Sequence, residues 1–194
     1  LSAKTEEQVL FAEEARLDLE RASEAVKKAI QRIRSTGAQI RTQSPILAHI
    51  NDEPGLWSSM WKEQVKQGCV PYYMFQVRDT GAQQFFGVTL EKAWQVFRKA
   101  YQNVSGVART VRGPSMSADP GKVEVLGVNE IHGSKVFTLR FLQARKPENV
   151  GRPFFARYDE EAIWLDDLVP EDPDAWDLEA VVELERVEAA VTVH

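Results

Sequence analysis

The stretch "SADPGKVEVLGV", residues 117 to 128, sets Lys122 at the lip of a strand-like run, directly after a turn-forming Asp-Pro-Gly. A lysine forms an imine when its amine is partly desolvated, so that it can lose a proton, and when an aldehyde can reach it. The small-residue segment "GPSMSADPG" reads as a loop that gives such access. A solvated lysine marking a strand edge is the competing reading. Other polar residues fall where elements end. Gln43 and Ser44 follow the strand-like "AQIR", and Arg78 and Asp79 follow "PYYMFQV". Loops after parallel strands collect ligands in α/β proteins, although Gln43 also reads as a cap and Arg78 with Asp79 as a solvated pair. Arg109 and Arg112 in "ARTVRGP" suit a phosphate or carboxylate, or solvent. His49, His132 and His194 have no partners at metal-ligating spacing, and GxSxG, HExxH and Walker motifs are absent.

The elements that must hold these residues alternate. Ala22, Val26, Ala29, Ile30 and Ile33 recur at helical spacing from about Glu20 to Thr36, and Gly37 stands at a helix stop. Residues 55 to 67 form a second amphipathic helix with Trp57, Met60, Trp61 and Val65 on one face. The apolar run "CVPYYMFQV" suits a buried strand of a parallel sheet. A third helix follows Thr89, a suitable N-cap, through Leu90, Ala93, Trp94, Phe97 and Tyr101. Such alternation predicts βα units and a parallel sheet. Beyond "NVSG" the period changes to two, and "KVEVLGV" and "KVFTLRFL" read as an antiparallel hairpin, with "RPFFARY" as a further strand.

Composition bounds the rest. The 194 residues, 43% hydrophobic, suffice for one core or one core with a tail. No apolar run reaches bilayer-spanning length and no signal peptide is evident, so the expectation is a soluble, cytoplasmic chain that engages no membrane. Cys69 is the only cysteine, which excludes an internal disulfide and a thiolate set for a cluster or structural zinc. Thirteen of the 29 acidic residues and a single basic one lie between Asp159 and Glu188. The body is correspondingly basic, but its cations are dispersed rather than striped with aromatics, and no nucleic-acid partner is expected. The acidic end reads as a solvated appendage, and as an interaction tail in a weaker reading.

Together, "GAQIRTQSPILAHIND", "VPYYMF" and "SGVARTVRGPSMSADPGK" resemble the C-terminal portion of the lysine 2,3-aminomutase family of radical S-adenosylmethionine enzymes. The likeness covers residues 20 to 165 and rests on Gln43, Ser44, Leu47, Asn51 and Asp52, then Pro71, Tyr72 and Tyr73. It implies an α/β chain, the last βα units of an incomplete β/α barrel followed by a β-rich segment. The implied divisions are an N-terminal extension at 1–19, βα units at 20–105, a lysine loop and β-rich cap at 106–165, and an acidic tail at 166–194. It implies pyridoxal phosphate held as an aldimine by Lys122, and Gln43 on the S-adenosylmethionine side. Reductive cleavage of S-adenosylmethionine at a [4Fe-4S] cluster would give a 5′-deoxyadenosyl radical, and the amino group would move between Cα and Cβ.

The family's CxxxCxxC is absent and the chain begins at Leu1, so the expectation is a piece of a longer enzyme, with a degenerate, non-catalytic binding relative as the alternative. Aminomutases of this type are oligomers, which makes a homo-oligomer the expectation. Two family aspartates that hold the lysine substrate's distal ammonium fall on Arg78, or on Asp79 after a one-residue shift, and on Arg112 by motif or Ser115 by count. Replacing carboxylate by guanidinium inverts the ligand preference, so the resemblance implies an amino-acid substrate other than lysine, with glutamate as the candidate.

Overall fold

The computed structural model describes residues 23–78 and 82–172. Expectations placed on residues 1–19, on Asp79 and on the tail beyond 172 lie outside the described residues. The rest forms one open, six-stranded mixed sheet in the order β1-β2-β3-β4-β5-β6. The strands are β1 (Arg41–Ile46), β2 (Val70–Gln76), β3 (Arg112–Ala118), β4 (Gly121–Ile131), β5 (Ser134–Ala144) and β6 (Pro153–Arg157). The first three run parallel and the remaining pairs antiparallel. The β-rich segment anticipated as a cap therefore continues the same sheet.

Each parallel step needs a crossover, and helices supply it. Residues 23–34 are helical (α1), and the chain then bends at Gly37, whose φ of 86° is open to glycine without strain. Of the apolar positions expected to pack, Val26 is 57% and Ile33 51% exposed, while Ile30 is partly buried. Helix α2 (Pro54–Lys66) starts with proline in its first turn, and its apolar stripe buries Trp57 and Trp61. The short α3 (Gln83–Phe86) leads to α4 (Leu90–Gln102), which Thr89 caps by accepting the Lys92 amide proton at 3.4 Å. Against β1 and β2 these helices bury Ile46, Trp57, Trp61, Met74, Val96 and Ala100 in one cluster. A second cluster joins β3 to β6 through Met116, Val123, Phe137, Leu139 and Phe141 and is closed by Ala162, Leu165 and Leu168.

Local chemistry sets the turns. Hairpin β4–β5 closes through His132 and Gly133, both at positive φ, the handedness that suits a two-residue hairpin loop. The loop after β1 is fastened by Asn51, whose Oδ1 accepts from the Leu47 amide at 2.7 Å and whose Nδ2 donates to the Pro45 carbonyl at 3.0 Å. The Asn51 carbonyl in turn accepts from the Trp57 indole at 2.6 Å. Among the described residues, no helix is long and apolar enough to cross a membrane.

Candidate functional site

Two sequence readings change in the structure. "GPSMSA" is not a loop: it lies in β3, with Gly113 through Met116 buried. Gln43 and Ser44 lie inside β1 rather than after it. The reason is tertiary, since small polar residues lack intrinsic strand preference and β3 gains its hydrogen bonds from β2 on one side and β4 on the other.

Lys122 is consequently held by a sheet. It is the second residue of β4, paired with Ser117 on β3 and Gln143 on β5, and is half-buried. Gly121 sets the approach. At its φ of 148° a Cβ would lie 2.1 Å from the Gln143 carbonyl oxygen, so only glycine lets β4 start this close to β5. Two residues on, the buried Glu124 carboxylate accepts from the Gly113 amide at 2.9 Å and from Arg140 Nη2 at 2.5 Å. That carboxylate fastens β3, β4 and β5 together beside the lysine.

Strand β2 supplies the opposite wall. Thr42 pairs with Pro71 but Gln43 with Tyr73, which leaves Tyr72 as an extra residue in β2. Such a bulge lets adjacent side chains share a side, and the Tyr72 and Tyr73 rings lie 4.2 Å apart between centroids. Lys122 Nζ stands 4.2 Å from the Tyr73 ring centroid, within cation–π range. Burial holds the Tyr73 phenol above its ordinary value, helped by the hydrogen bond it donates to Tyr72. Accepting that bond lowers Tyr72, with the Arg112 and Arg41 guanidinium groups acting in the same direction.

These strands enclose a cavity of about 230 Å³ lined by Gln43, Tyr73, Phe75, Gln76, Arg78, Ser115, Ser117, Lys122 and Trp164. It gathers four of the residues singled out in the sequence: Gln43 from β1, Arg78 after β2, Ser115 from β3 and Lys122 from β4. Arg112 is not in its lining. It is exposed and stands 6.0 Å from the Tyr72 ring centroid. Asp52 pairs with Lys92 on α4, away from the lining.

Sequence reading did not assign Phe75, Gln76, Ser117 or Trp164 to a site. Alternation along β2 and β3 carried a signal for Phe75 beside Tyr73 and for Ser117 beside Ser115. Gln76 was visible as the one polar side chain at the end of an apolar run. Trp164 had no local signal, because it reaches the cavity from the segment after β6.

The lining combines one amine, one guanidinium, two serine hydroxyls and two carboxamides with three aromatic side chains, one of them the Tyr73 phenol, and among the described residues it contains no carboxylate. Aromatic walls exclude water from an amine, and planar rings accept a planar heteroaromatic guest. The arrangement defines an α/β chain with a cavity where the parallel strands β1 to β3 meet the antiparallel β4, carrying a single amine. No family model matches the chain. It is similar to a curated protein of Aquifex aeolicus (strain VF5) named "Putative L-lysine 2,3-aminomutase", with 33% identity over 141 residues. That match covers 73% of this chain and 36% of the relative, so the chain spans about a third of the length of the relative it matches. The chain belongs to the lysine 2,3-aminomutase family.

Proposed function

We propose that the cavity around Lys122 is the pyridoxal phosphate and substrate site of an aminomutase, which moves an amino group between Cα and Cβ of an amino acid. The observation that carries this reading is the convergence of Gln43, Arg78, Ser115 and Lys122, from four separate stretches of sequence, on one cavity. The residues fit the cofactor. Lys122 would hold its carbonyl carbon, and Tyr73, Phe75 and Trp164 would bracket its ring. When bound, pyridoxal phosphate supplies the imine π-system that carries the migrating nitrogen. The chain's own part is to present one amine on a rigid strand, to place a ring against it and to keep water from it.

The parallel strands β1, β2 and β3 with their crossover helices are the last βα units of an incomplete barrel in this reading, with β4 to β6 as the β-rich segment that brings the lysine. The division at residues 105 and 165 follows from it. Gln43 lies on the S-adenosylmethionine side. The single cysteine, Cys69, is buried and supplies no cluster loop, so the radical-generating [4Fe-4S] centre would be carried by a portion corresponding to the relative's remaining length. Self-association into a homo-oligomer is part of the same proposal.

The substrate is an amino acid other than lysine. A distal ammonium would meet Arg78 and the hydroxyl of Ser115, with no carboxylate in the described lining. An oxygen-bearing side-chain end suits Arg78, and glutamate is the first to test.

Incubating the chain with pyridoxal phosphate, reducing with borohydride and mapping the adduct by peptide mass spectrometry tests the site. Selective labelling at Lys122, lost in Lys122→Ala, is the expected outcome. Labelling spread over surface lysines would overturn the assignment and favour the non-catalytic relative.

A further inference from the structure

Arg41 opens β1, Arg112 opens β3, and Tyr72 stands in β2 between them. The Arg41 guanidinium lies 5.2 Å from the centre of the Tyr72 ring, and that of Arg112 lies 6.0 Å from it. The bulge at Tyr72 brings the Tyr73 ring alongside, and Lys122 Nζ rests on that second ring. Three cations thus face two phenol rings. Other arginines meet acids or carbonyls: Arg140 meets Glu124, Arg157 meets Glu171 and Arg109 meets the Val104 carbonyl. Arg41 donates from Nε to Gln39 Oε1 at 3.1 Å, and Arg112 turns to the Tyr73 phenol. Neither pairs with a carboxylate among the described residues, and both are exposed. The Tyr72 phenol is lowered first by the bond from Tyr73 and then by both guanidinium groups, with no carboxylate acting against them.

We propose that Arg41, Tyr72 and Arg112 form a phosphate subsite near the starts of the parallel strands, open to solvent and bordering the Lys122 cavity through Tyr73. A guanidinium carries several N–H donors in a planar fork, so most of the donors of this pair remain for a guest. Tyr73 gives its phenol proton to Tyr72, which leaves the Tyr72 proton for a further acceptor. The chemistry of the donors selects the guest. A carboxylate is planar, and a single guanidinium fork saturates its two oxygens. A phosphate directs its terminal oxygens tetrahedrally, and can accept from donors on β1, β2 and β3 together. Its source is either free phosphate or the phosphate ester of a cofactor joined at Lys122. The cofactor case rests on the reading of Lys122 proposed above, and the free-phosphate case does not.

The test is calorimetric titration of the full chain with inorganic phosphate at constant ionic strength. Saturable binding is expected, weakened about tenfold in Arg41→Gln and in Arg112→Gln, the size of one charge-assisted hydrogen bond. Tyr72→Phe keeps the ring and removes the O–H, and should weaken binding about threefold to tenfold. Arg98→Gln removes the same charge from α4 and should bind as the native chain does. Thermal unfolding checks that each variant is folded. The absence of saturable binding would overturn the subsite, and so would equal weakening in Arg98→Gln, which would leave only the net charge at work. Borohydride trapping with pyridoxal phosphate and with pyridoxal decides the source. A labelling preference for the phosphate ester that disappears in Arg41→Gln and Arg112→Gln assigns the subsite to the cofactor, and a preference that survives both assigns it to free phosphate. Phosphate binding with Lys122 unlabelled removes only the cofactor reading. Labelled Lys122 without phosphate binding removes only the subsite.

Discussion

Lys122 Nζ lies 4.2 Å from the centre of the Tyr73 ring, so the one amine of the cavity rests on a ring two strands away. The contact crosses β3 and sets where the amine is presented. Tyr73→Leu removes the ring and should lower the yield of the Lys122 adduct several-fold, whereas Tyr73→Phe, which keeps the face, should retain most of it. Borohydride trapping at limiting pyridoxal phosphate measures both. Equal yields from the two variants would mean that the ring does not position the amine.

Gly121 has no room for a side chain. Its positive φ and the 2.1 Å approach to the Gln143 carbonyl both oppose alanine. Gly121→Ala should cost about 2 kcal/mol or more in urea unfolding and weaken Lys122 labelling at the same time. Gly133 also has positive φ but nothing lies within 4 Å of its Cβ position. Gly133→Ala should therefore cost less, about 1 kcal/mol, with labelling unchanged.

Glu124 is 8% exposed in its side chain, while its partner Arg140 is 39% exposed. Removing the acid strands the Gly113 amide and leaves Arg140 Nη2 without its carboxylate. Glu124→Ala should destabilise by about 2 kcal/mol, below the range for a wholly buried pair because water still reaches Arg140. Arg140→Ala should cost a similar amount, and the double variant less than the sum of the two. Strict additivity would show that the pair does not act as a unit.

Two groups make stability depend on pH at opposite ends of the range. Lys92 holds the Asp52 carboxyl below its ordinary value of 3.8, chiefly through their hydrogen bond. Asp52's folded value is the lower one, so its contribution is present above 3.8 and lost as the pH falls through the lowered value. Tyr158 behaves oppositely: its hydrogen bond to Glu91 pushes the phenol up to about 12. That contribution is present below the ordinary phenol value of 10.0 and disappears as the pH rises through about 12. Asp52→Asn should flatten the acid limb of a stability profile from denaturant melts, and Tyr158→Phe the alkaline limb. Unaltered limbs would discount each pair.

Much of the fold was legible because period and punctuation are local properties. The stripe of Trp57 and Trp61, the Thr89 cap, the apolar run into Phe75 and the alternation of Val123, Val125, Phe137 and Leu139 each announce an element within a dozen residues. The family resemblance offered Gln43 and Lys122 as candidates by motif, and Ser115 by count. The segment "GPSMSA" was read as a loop because serine, glycine and proline carry loop propensity, and no local signal outweighed it.

What tertiary structure decided was which of these residues meet. The Tyr72 bulge brings Tyr73 under Lys122, the fastening at Glu124 sets β3 beside β4, and Trp164 arrives from beyond β6. The same packing put Ser115 in the cavity lining and Arg112 outside it, beside Tyr72 and Tyr73, where the family resemblance had left the two positions open. Each of these depends on contacts between residues far apart in the chain, whose cost in chain entropy only the assembled core repays. The sequence by itself determined most of the elements and the candidate amine; the assembled sheet decided that β3 is a strand and what surrounds that amine.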